Sequence, residues 1–275
     1  MLPIMAMSHA SCEKNNEHYV ANAIKFQDQN FSEALLEVQE ITIYDETGRK
    51  FLYLMDVDAN KDGAITVGEA RNVYGLDLSG FSVTAPFMIS DMSEIKYFTS
   101  LTTLYCGGNK LTTLDLSDNT NLIYLQCKRN QLTLLDVSKN TLLTHLDCSS
   151  SDLEYYKNQL TSLDLSNNAA LEYLDCDYNQ LTSLDLSNNT ALTNLYCEGN
   201  QLTSLDLSNN TALESLSCSS NQLTSLDVHN NRELEHLYCR NNPLEKLILY
   251  AHHNIDYDDI ESIESEYGDI IEYME

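Results

Sequence analysis

Two sets of residues could do chemistry by their type and spacing. The twelve residues from Asp58 to Glu69 hold three carboxylates (Asp58, Asp62, Glu69), the carboxamide of Asn60, the hydroxyl of Thr66 and a mid-loop glycine, Gly63. Oxygen donors crowded into so short a stretch suit a hard divalent cation. The second set is sulfur. Cys106, Cys127, Cys148, Cys176, Cys197, Cys218 and Cys239 stand 21, 21, 28, 21, 21 and 21 residues apart, so seven of the eight cysteines occupy one recurring position. Zinc ligands come in pairs a few residues apart, and the sequence has no such pair. The seven are therefore read as small buried apolar side chains.

The elements that position these residues follow from the repeat. Copies starting at Gln180, Gln201 and Gln222 each read Gln-Leu-Thr-Ser-Leu-Asp, a period of 21 residues, and a unit that short is one coil of a solenoid. Each coil carries two apolar triplets, such as Leu202, Leu205, Leu207 and then Leu213, Leu216, Cys218. Leu216 and Cys218 sit two apart, as on one face of a strand, so residues 215, 217 and 219 face the other way. No coil can bury its leucines alone, whereas coils stacked about 4.8 Å apart as parallel strands share one core. Asparagines recur at 109, 130, 179, 200, 221 and 242, where a side-chain amide can satisfy the backbone of the bend. A second series, Asn119, Asn140, Asn168, Asn189, Asn210 and Asn231, is expected to do the same at the opposite bend.

The outward columns are the candidate binding surface. Tyr105, Asp147, Asp175, Tyr196 and Tyr238 fall in the middle column, Tyr124, His145 and Tyr173 in the one before it, with Tyr178 close by. Tyrosines among Asp and His make a rigid amphipathic surface suited to protein or sugar, although tyrosine favours strands in any case. Asp115, Asp136, Asp164, Asp185, Asp206 and Asp227 form a column on the other limb. There, either neighbours repel by about 1 kcal/mol each in water and their pKa values rise, or adjacent Ser and Thr hydrogen-bond them. Seven residues inserted after Cys148, around Asp152 to Tyr156, interrupt one coil, as a binding loop or as a neutral rim insertion.

Composition narrows the partner. Among 275 residues, 42 Asp and Glu face 15 Lys and Arg, a net charge of −27. Nucleic acid and anionic lipid need clustered basic residues, so a cationic partner or a divalent metal is favoured. No apolar run reaches the roughly 18 residues of a membrane helix. Before the array, Phe26, Phe31, Leu35, Leu36 and Val38 suggest an amphipathic helix with Ser32 as N-cap. Residues 74–98, with Leu76 and Leu78, form a transition covering the first coil's apolar end. Beyond Leu249, Ile260, Ile263 and Tyr267 lie at helical spacing and residues 269–273 read as a strand, giving a short C-terminal cap.

The second triplet spells leucine, two residues, leucine, one residue, cysteine, two residues, asparagine, and this phrase resembles the leucine-rich repeat. That resemblance implies a leucine-rich-repeat superhelix of the α/β solenoid type, with the parallel sheet on a concave face, a small helical N-terminal cap and a helix/strand C-terminal cap. The stretch from Asp58 to Glu69 is similar to an EF-hand calcium loop. In that pattern Asp58, Asn60 and Asp62 each give a side-chain oxygen, Gly63 permits the bend, Ala64 offers its carbonyl, Thr66 acts through water and Glu69 binds with both oxygens. With no second loop in the sequence, calcium here would be structural. Apolar residues 1–7, the small residues that follow and then Cys12 before a polar stretch look like the tail of a bacterial lipoprotein signal, which would make Cys12 the acylated residue. The run is short and has no basic start, so either the true start lies upstream or these residues are a tail.

The expected organisation is 1–20 as signal remnant or tether, 21–100 as the N-terminal cap with the calcium loop, 101–249 as repeats and 250–275 as the C-terminal cap. Together the motifs resemble cell-surface leucine-rich-repeat lipoproteins of Gram-negative bacteria, in the style of internalins. The resemblance implies a non-catalytic binding or adhesion module at the cell surface or outer membrane, or in the periplasm, recognising protein or carbohydrate, with membrane contact only through Cys12. The competing readings are a cytoplasmic protein-interaction scaffold and a glycan-acting enzyme using His145, Asp147 and Asp175.

Overall fold

The structure, a computed structural model, describes residues 23–36, 39–44, 50–80, 88–150 and 157–275. Cys12 and most of the insertion (residues 151–156) lie outside the described residues.

Helix α1, Gln29–Leu36, buries Phe31, Ala34 and Leu35. Ser32 does not cap it: its hydroxyl sits inside the first turn and donates to the Gln29 carbonyl at 2.9 Å. The cap is Asp28, whose Oδ1 accepts from the amides of Asn30 (2.8 Å) and Phe31 (3.3 Å). Its Oδ2 accepts from Ser90 N and Oγ and from Asp91 N, at 2.6, 2.8 and 3.1 Å. One carboxylate thus starts the helix and ties it to a segment about sixty residues away. Strands β1 (Gln39–Tyr44) and β2 (Lys50–Met55) pair antiparallel, so a hairpin accompanies the helix and the acidic loop follows a strand. Thr66 caps the one-turn helix α2, Val67–Ala70.

From β3 (Gly75–Asp77) onward the chain builds one parallel sheet. Its further strands are β4 (Thr103–Tyr105), β5 (Tyr124–Gln126), β6 (His145–Asp147), β7 (Tyr173–Asp175), β8 (Asn194–Tyr196) and β9 (Ser215–Ser217). On the opposite limb of the last coils, β10 (Ser225–Asp227) starts a second sheet, and the first ends in β11 (His236–Tyr238). The register never slips: Leu104, Leu125, Leu146, Leu174, Leu195, Leu216 and Leu237 stand opposite one another in succession. Leu76 pairs with Leu104, so the transition segment supplies the sheet's first strand. Strand β12 (Lys246–Tyr250) joins β10, and β13 (Ile271–Met274) joins β12. Helix α3 (Tyr257–Tyr267) lies between those two, with Ile263 buried. Among the described residues the helices sit in the caps alone, because a 21-residue coil spent on two apolar triplets and two bends leaves no length for one.

Leucines and thiols together form the core. The strand leucines Leu104, Leu125, Leu146, Leu174, Leu195, Leu216 and Leu237 and all seven repeat cysteines are 0–1 % exposed, and full burial of a leucine side chain contributes roughly 1.5–3 kcal/mol. Asn200 shows how coils are stitched: its Nδ2 donates to the carbonyls of Cys176 (3.0 Å) and Cys197 (3.1 Å), and its Oδ1 accepts from Leu181 N (3.0 Å). The coil holding the insertion does this with Asn158, bonded to the Cys127 and Cys148 carbonyls and to Leu132 N. The second series is half satisfied. Asn210 Nδ2 donates to Leu186 and Asn189 carbonyls at 3.2 and 2.9 Å, while the buried Oδ1 atoms of all six members meet no donor of the protein. The residue before the stitching asparagine is left-handed at Gly108, Arg129, Tyr178, Gly199, Ser220 and Asn241.

Candidate functional site

Strands three residues long point two side chains outward and one inward, and parallel register stacks like positions. Rings at neighbouring positions therefore meet. Tyr105 and Tyr124 centroids are 4.9 Å apart, Tyr124 stacks on His145 at 5.4 Å, His145 on Tyr173 at 5.8 Å, and Tyr173 meets Tyr196 at 5.5 Å. Five of the residues singled out from the sequence thus form one continuous ladder across five coils. Burial holds the His145 imidazole below its usual pKa, against the opposing pull of Glu172, so the ring presents as neutral. Thr144 Oγ1 lies 2.8 Å from its Nδ1.

Beside the ladder lies acid. Asp147 is 7 % exposed, takes the Ser149 hydroxyl at 2.6 Å and pairs with Lys128 Nζ at 2.8 Å; it is a salt-bridged group, not the open contact residue its column suggests. Asp175 and Asp177 follow on the next coil, flanking Cys176. Burial, reinforced by Asp147, pushes the Asp175 carboxyl up to about 6. Burial, reinforced by Asp175, pushes Asp177 to about 8, although its carboxylate accepts from Glu198 N at 2.6 Å. Glu198 completes the patch, its Oε1 held by the Tyr178 hydroxyl at 2.8 Å. Tyr178 itself lies in the turn after the strand, its ring over Gly199. The next coil carries Ser215, Ser217 and Ser219, all under 9 % exposed. Beyond them Tyr238 stands 45 % exposed, outside the ring ladder. Lys128, Asp177 and Glu198 fall in the outward column that follows the thiol in the sequence, outside the candidate binding set, because their partners lie on adjacent coils; the Asp-Cys-Asp triplet at 175–177 was the available signal.

Two further places have the residues for a cation. In the EF-hand-like loop Asp58 accepts from Asp62 N (3.2 Å) and Gly63 N (2.8 Å), Asn60 Oδ1 from Asp62 N (2.8 Å) and Asp62 Oδ1 from Ala64 N (2.9 Å). Gly63 is left-handed, at φ 81°. Glu69 Oε2 accepts from Thr66 N and Oγ1 at 2.9 and 2.8 Å, and its Oε1 reaches toward Asn60 N at 3.4 Å. The loop therefore turns sharply at Gly63 and gathers side-chain oxygens, with Glu69 turned across it to close a capping box on α2. On one side of the loop, Ala23 bridges Thr66 and Ile24 N donates to the Ile65 carbonyl at 2.8 Å. The second place is His236, whose Nδ1 lies 3.3 Å from Asp256 and 3.4 Å from Asp259, fastening α3 to β11.

The Asp column on the other limb resolves in favour of hydrogen bonding. Asp115, Asp136, Asp164, Asp185 and Asp206 each accept from the amide of the serine two residues on at 2.9–3.0 Å. The serine hydroxyl and amide hold all five carboxyls below their ordinary range. Hollows of about 250, 240 and 430 Å³ lie along this column. They repeat with the coil and are products of the repeat.

The architecture is that of a leucine-rich-repeat solenoid. No protein-family model and no curated protein matches the chain. Among solved structures it is similar to the functional domain of InlJ from Listeria monocytogenes, which includes a cysteine ladder: 34 % identity over 73 % of this chain and 49 % of that one, TM-score 0.54. A leucine-rich-repeat protein of Leptospira interrogans matches at 25 % identity over 68 % of this chain and 52 % of its own, TM-score 0.53. An internalin of Listeria monocytogenes shares the fold at 18 % identity, with 90 % and 94 % covered and a TM-score of 0.62. The chain spans about half the length of the first two. Among the described residues no helix is long and apolar enough to cross a membrane.

Proposed function

We propose that this protein is a non-catalytic binding module that engages a protein or carbohydrate through the outward sheet face, displayed on a bacterial envelope by acylation of Cys12. The observation that carries it is the unbroken ring ladder from Tyr105 to Tyr196. Stacked aromatics order a large amphipathic area at little entropic cost. The test is a protein and glycan array probed with the protein and with a Tyr124→Ser, His145→Ser, Tyr173→Ser variant. The expected result is at least a tenfold loss of binding with the fold intact by circular dichroism. A partner indifferent to the triple substitution overturns the reading.

Calcium is part of the proposal. Bound by Asp58, Asn60, Asp62, the Ala64 carbonyl, Thr66 and Glu69, it would neutralise the loop and fix the cap over the first coil. Calcium is expected to raise the melting temperature and Glu69→Gln to abolish the gain; an unchanged melt with chelator rejects it. One observation favours the enzymatic alternative: Asp175, raised to about 6, neighbours Asp147, which Lys128 pairs, and glycosidases use carboxyls in unlike environments. Against it, Asp147 is 7 % exposed and tied to Lys128, and absence of turnover on glycans closes it.

A further inference from the structure

We infer that the centre of the sheet face is a receptor for a basic peptide segment of the partner, seating an arginine side chain between the rings of Tyr124, His145 and Tyr173 and the carboxylates of Asp147, Asp175, Asp177 and Glu198. The inference rests on the proposed role of this face and names the chemistry of its occupant.

Three observations carry it. The first is juxtaposition: Tyr173, Asp175 and Asp177 project from a single coil, so ring and carboxylates lie side by side by construction of the strand. The second is that the protein already seats a cation here, with the Lys128 ammonium 2.8 Å from Asp147. Asp175 and Asp177 remain crowded carboxylates with raised pKa values, so a second cation would relieve their repulsion. The third concerns which cation. Among the described residues, the groups whose ligand atoms gather within 4.8 Å of one another are those of His236, Asp256 and Asp259, not these four acids. Spread carboxylates flanked by aromatic faces suit a flat guanidinium, which stacks on rings and takes carboxylates in its fork, better than a chelated metal ion. The chain's net charge of −27 steers the same kind of partner toward it.

The test is calorimetric titration of the full chain at pH 8 and physiological salt with hexa-arginine, hexa-lysine, hexa-glutamate and calcium ion alone. Hexa-arginine is expected to bind several-fold tighter than hexa-lysine, and hexa-glutamate not at all. The double variant Asp175→Asn, Asp177→Asn should raise the hexa-arginine Kd at least tenfold, and Tyr173→Leu several-fold. Asp185→Asn, Asp206→Asn on the other limb should leave it unchanged. Equal losses from both pairs of substitutions would reduce the effect to general charge and overturn the inference, as would hexa-arginine binding that ignores Asp175 and Asp177. If a partner from the arrays needs Tyr124 and Tyr173 but not these two acids, the basic-segment inference alone fails; if it needs neither set, the proposed role of the face fails with it.

Discussion

Asp177→Asn should stabilise this protein at alkaline pH and do nothing at acid pH. Asp177 is pushed from 3.8 to about 8 and its neighbour Asp175 to about 6, in both cases by burial first and by neighbouring carboxylates second. For an acid with a raised folded-state pKa, folded and unfolded chains bind the same protons below the unfolded value, and the full contribution to stability is present there. As pH climbs from about 4 through 8 the unfolded chain ionises first, and that contribution is lost. At about 1.36 kcal/mol per pKa unit, a two-unit shift at Asp175 is worth roughly 3 kcal/mol. The larger shift at Asp177 exceeds that, but both side chains are only partly buried, and solvent screening brings the expected gain for Asp177→Asn to about 2–3 kcal/mol at pH 8.5. The amide oxygen of asparagine can keep the bond from Glu198 N, so charge alone is removed. Urea unfolding at pH 4, 6 and 8.5 reads the effect. A variant less stable than the parent at pH 8.5, or one whose gain is the same at pH 4, refutes the reasoning. The Asp115-to-Asp206 column does not blur the result: its carboxyls are depressed, so their contribution is present above the unfolded pKa and is lost only as pH falls below about 4.

Three more outcomes follow from the geometry. Asn200→Ala strips the partner from the Leu181 amide and one of two donors from each of the Cys176 and Cys197 carbonyls, which keep Asn179 and Asn221, and should cost about 3 kcal/mol at roughly 1 kcal/mol per bond, with amide exchange accelerating in those two coils first. Gly199→Ala places a methyl 2.6 Å from the Tyr178 ring at φ +66°; about 2 kcal/mol is expected from the left-handed backbone and the clash, with loss of the Tyr178 to Glu198 bond visible in the tyrosine ring signals. The seven repeat thiols, buried with pKa raised by desolvation, should resist a thiol reagent in the native protein and react together on unfolding. Early reaction of any of them would contradict the core assignment.

The repeat made the core legible, and the reason is physical: period-2 alternation within a strand and a fixed coil length leave a leucine at 216 and a thiol at 218 nowhere to go but inward. What the sequence hid was contact between coils. Asn158 belongs to the stitching series, as its bonds to the Cys127 and Cys148 carbonyls show, but the seven inserted residues shifted it out of step. Its Asn-Gln-Leu context, shared with Asn179 and Asn200, was the clue. Asp28 displaces Ser32 as helix cap because its other oxygen is held from Ser90 and Asp91, a long-range contact no local pattern encodes. In the Asp column, Coulomb's law and hydrogen bonding gave opposite signs, and the 2.9–3.0 Å serine amides decide between them.

The array also contains its own control for the binding face. The coil with Ser215, Ser217 and Ser219 keeps the inward Leu213, Leu216 and Cys218 and the stitching Asn221, bonded to the Cys197 and Cys218 carbonyls like its counterparts. Its outward positions hold neither ring nor charge, yet its strand pairs in register on both sides. The coil's fold therefore does not require Tyr173, Asp175 or Asp177 at the equivalent places, and the carboxylates there oppose folding at neutral pH because burial and mutual repulsion raise their pKa. The two carboxyls that oppose folding, Asp175 and Asp177, stand on a single coil at the middle of the five-coil ring ladder. The repeat therefore does not account for the rings and acids of these coils, which is the ground for proposing this face as the binding surface.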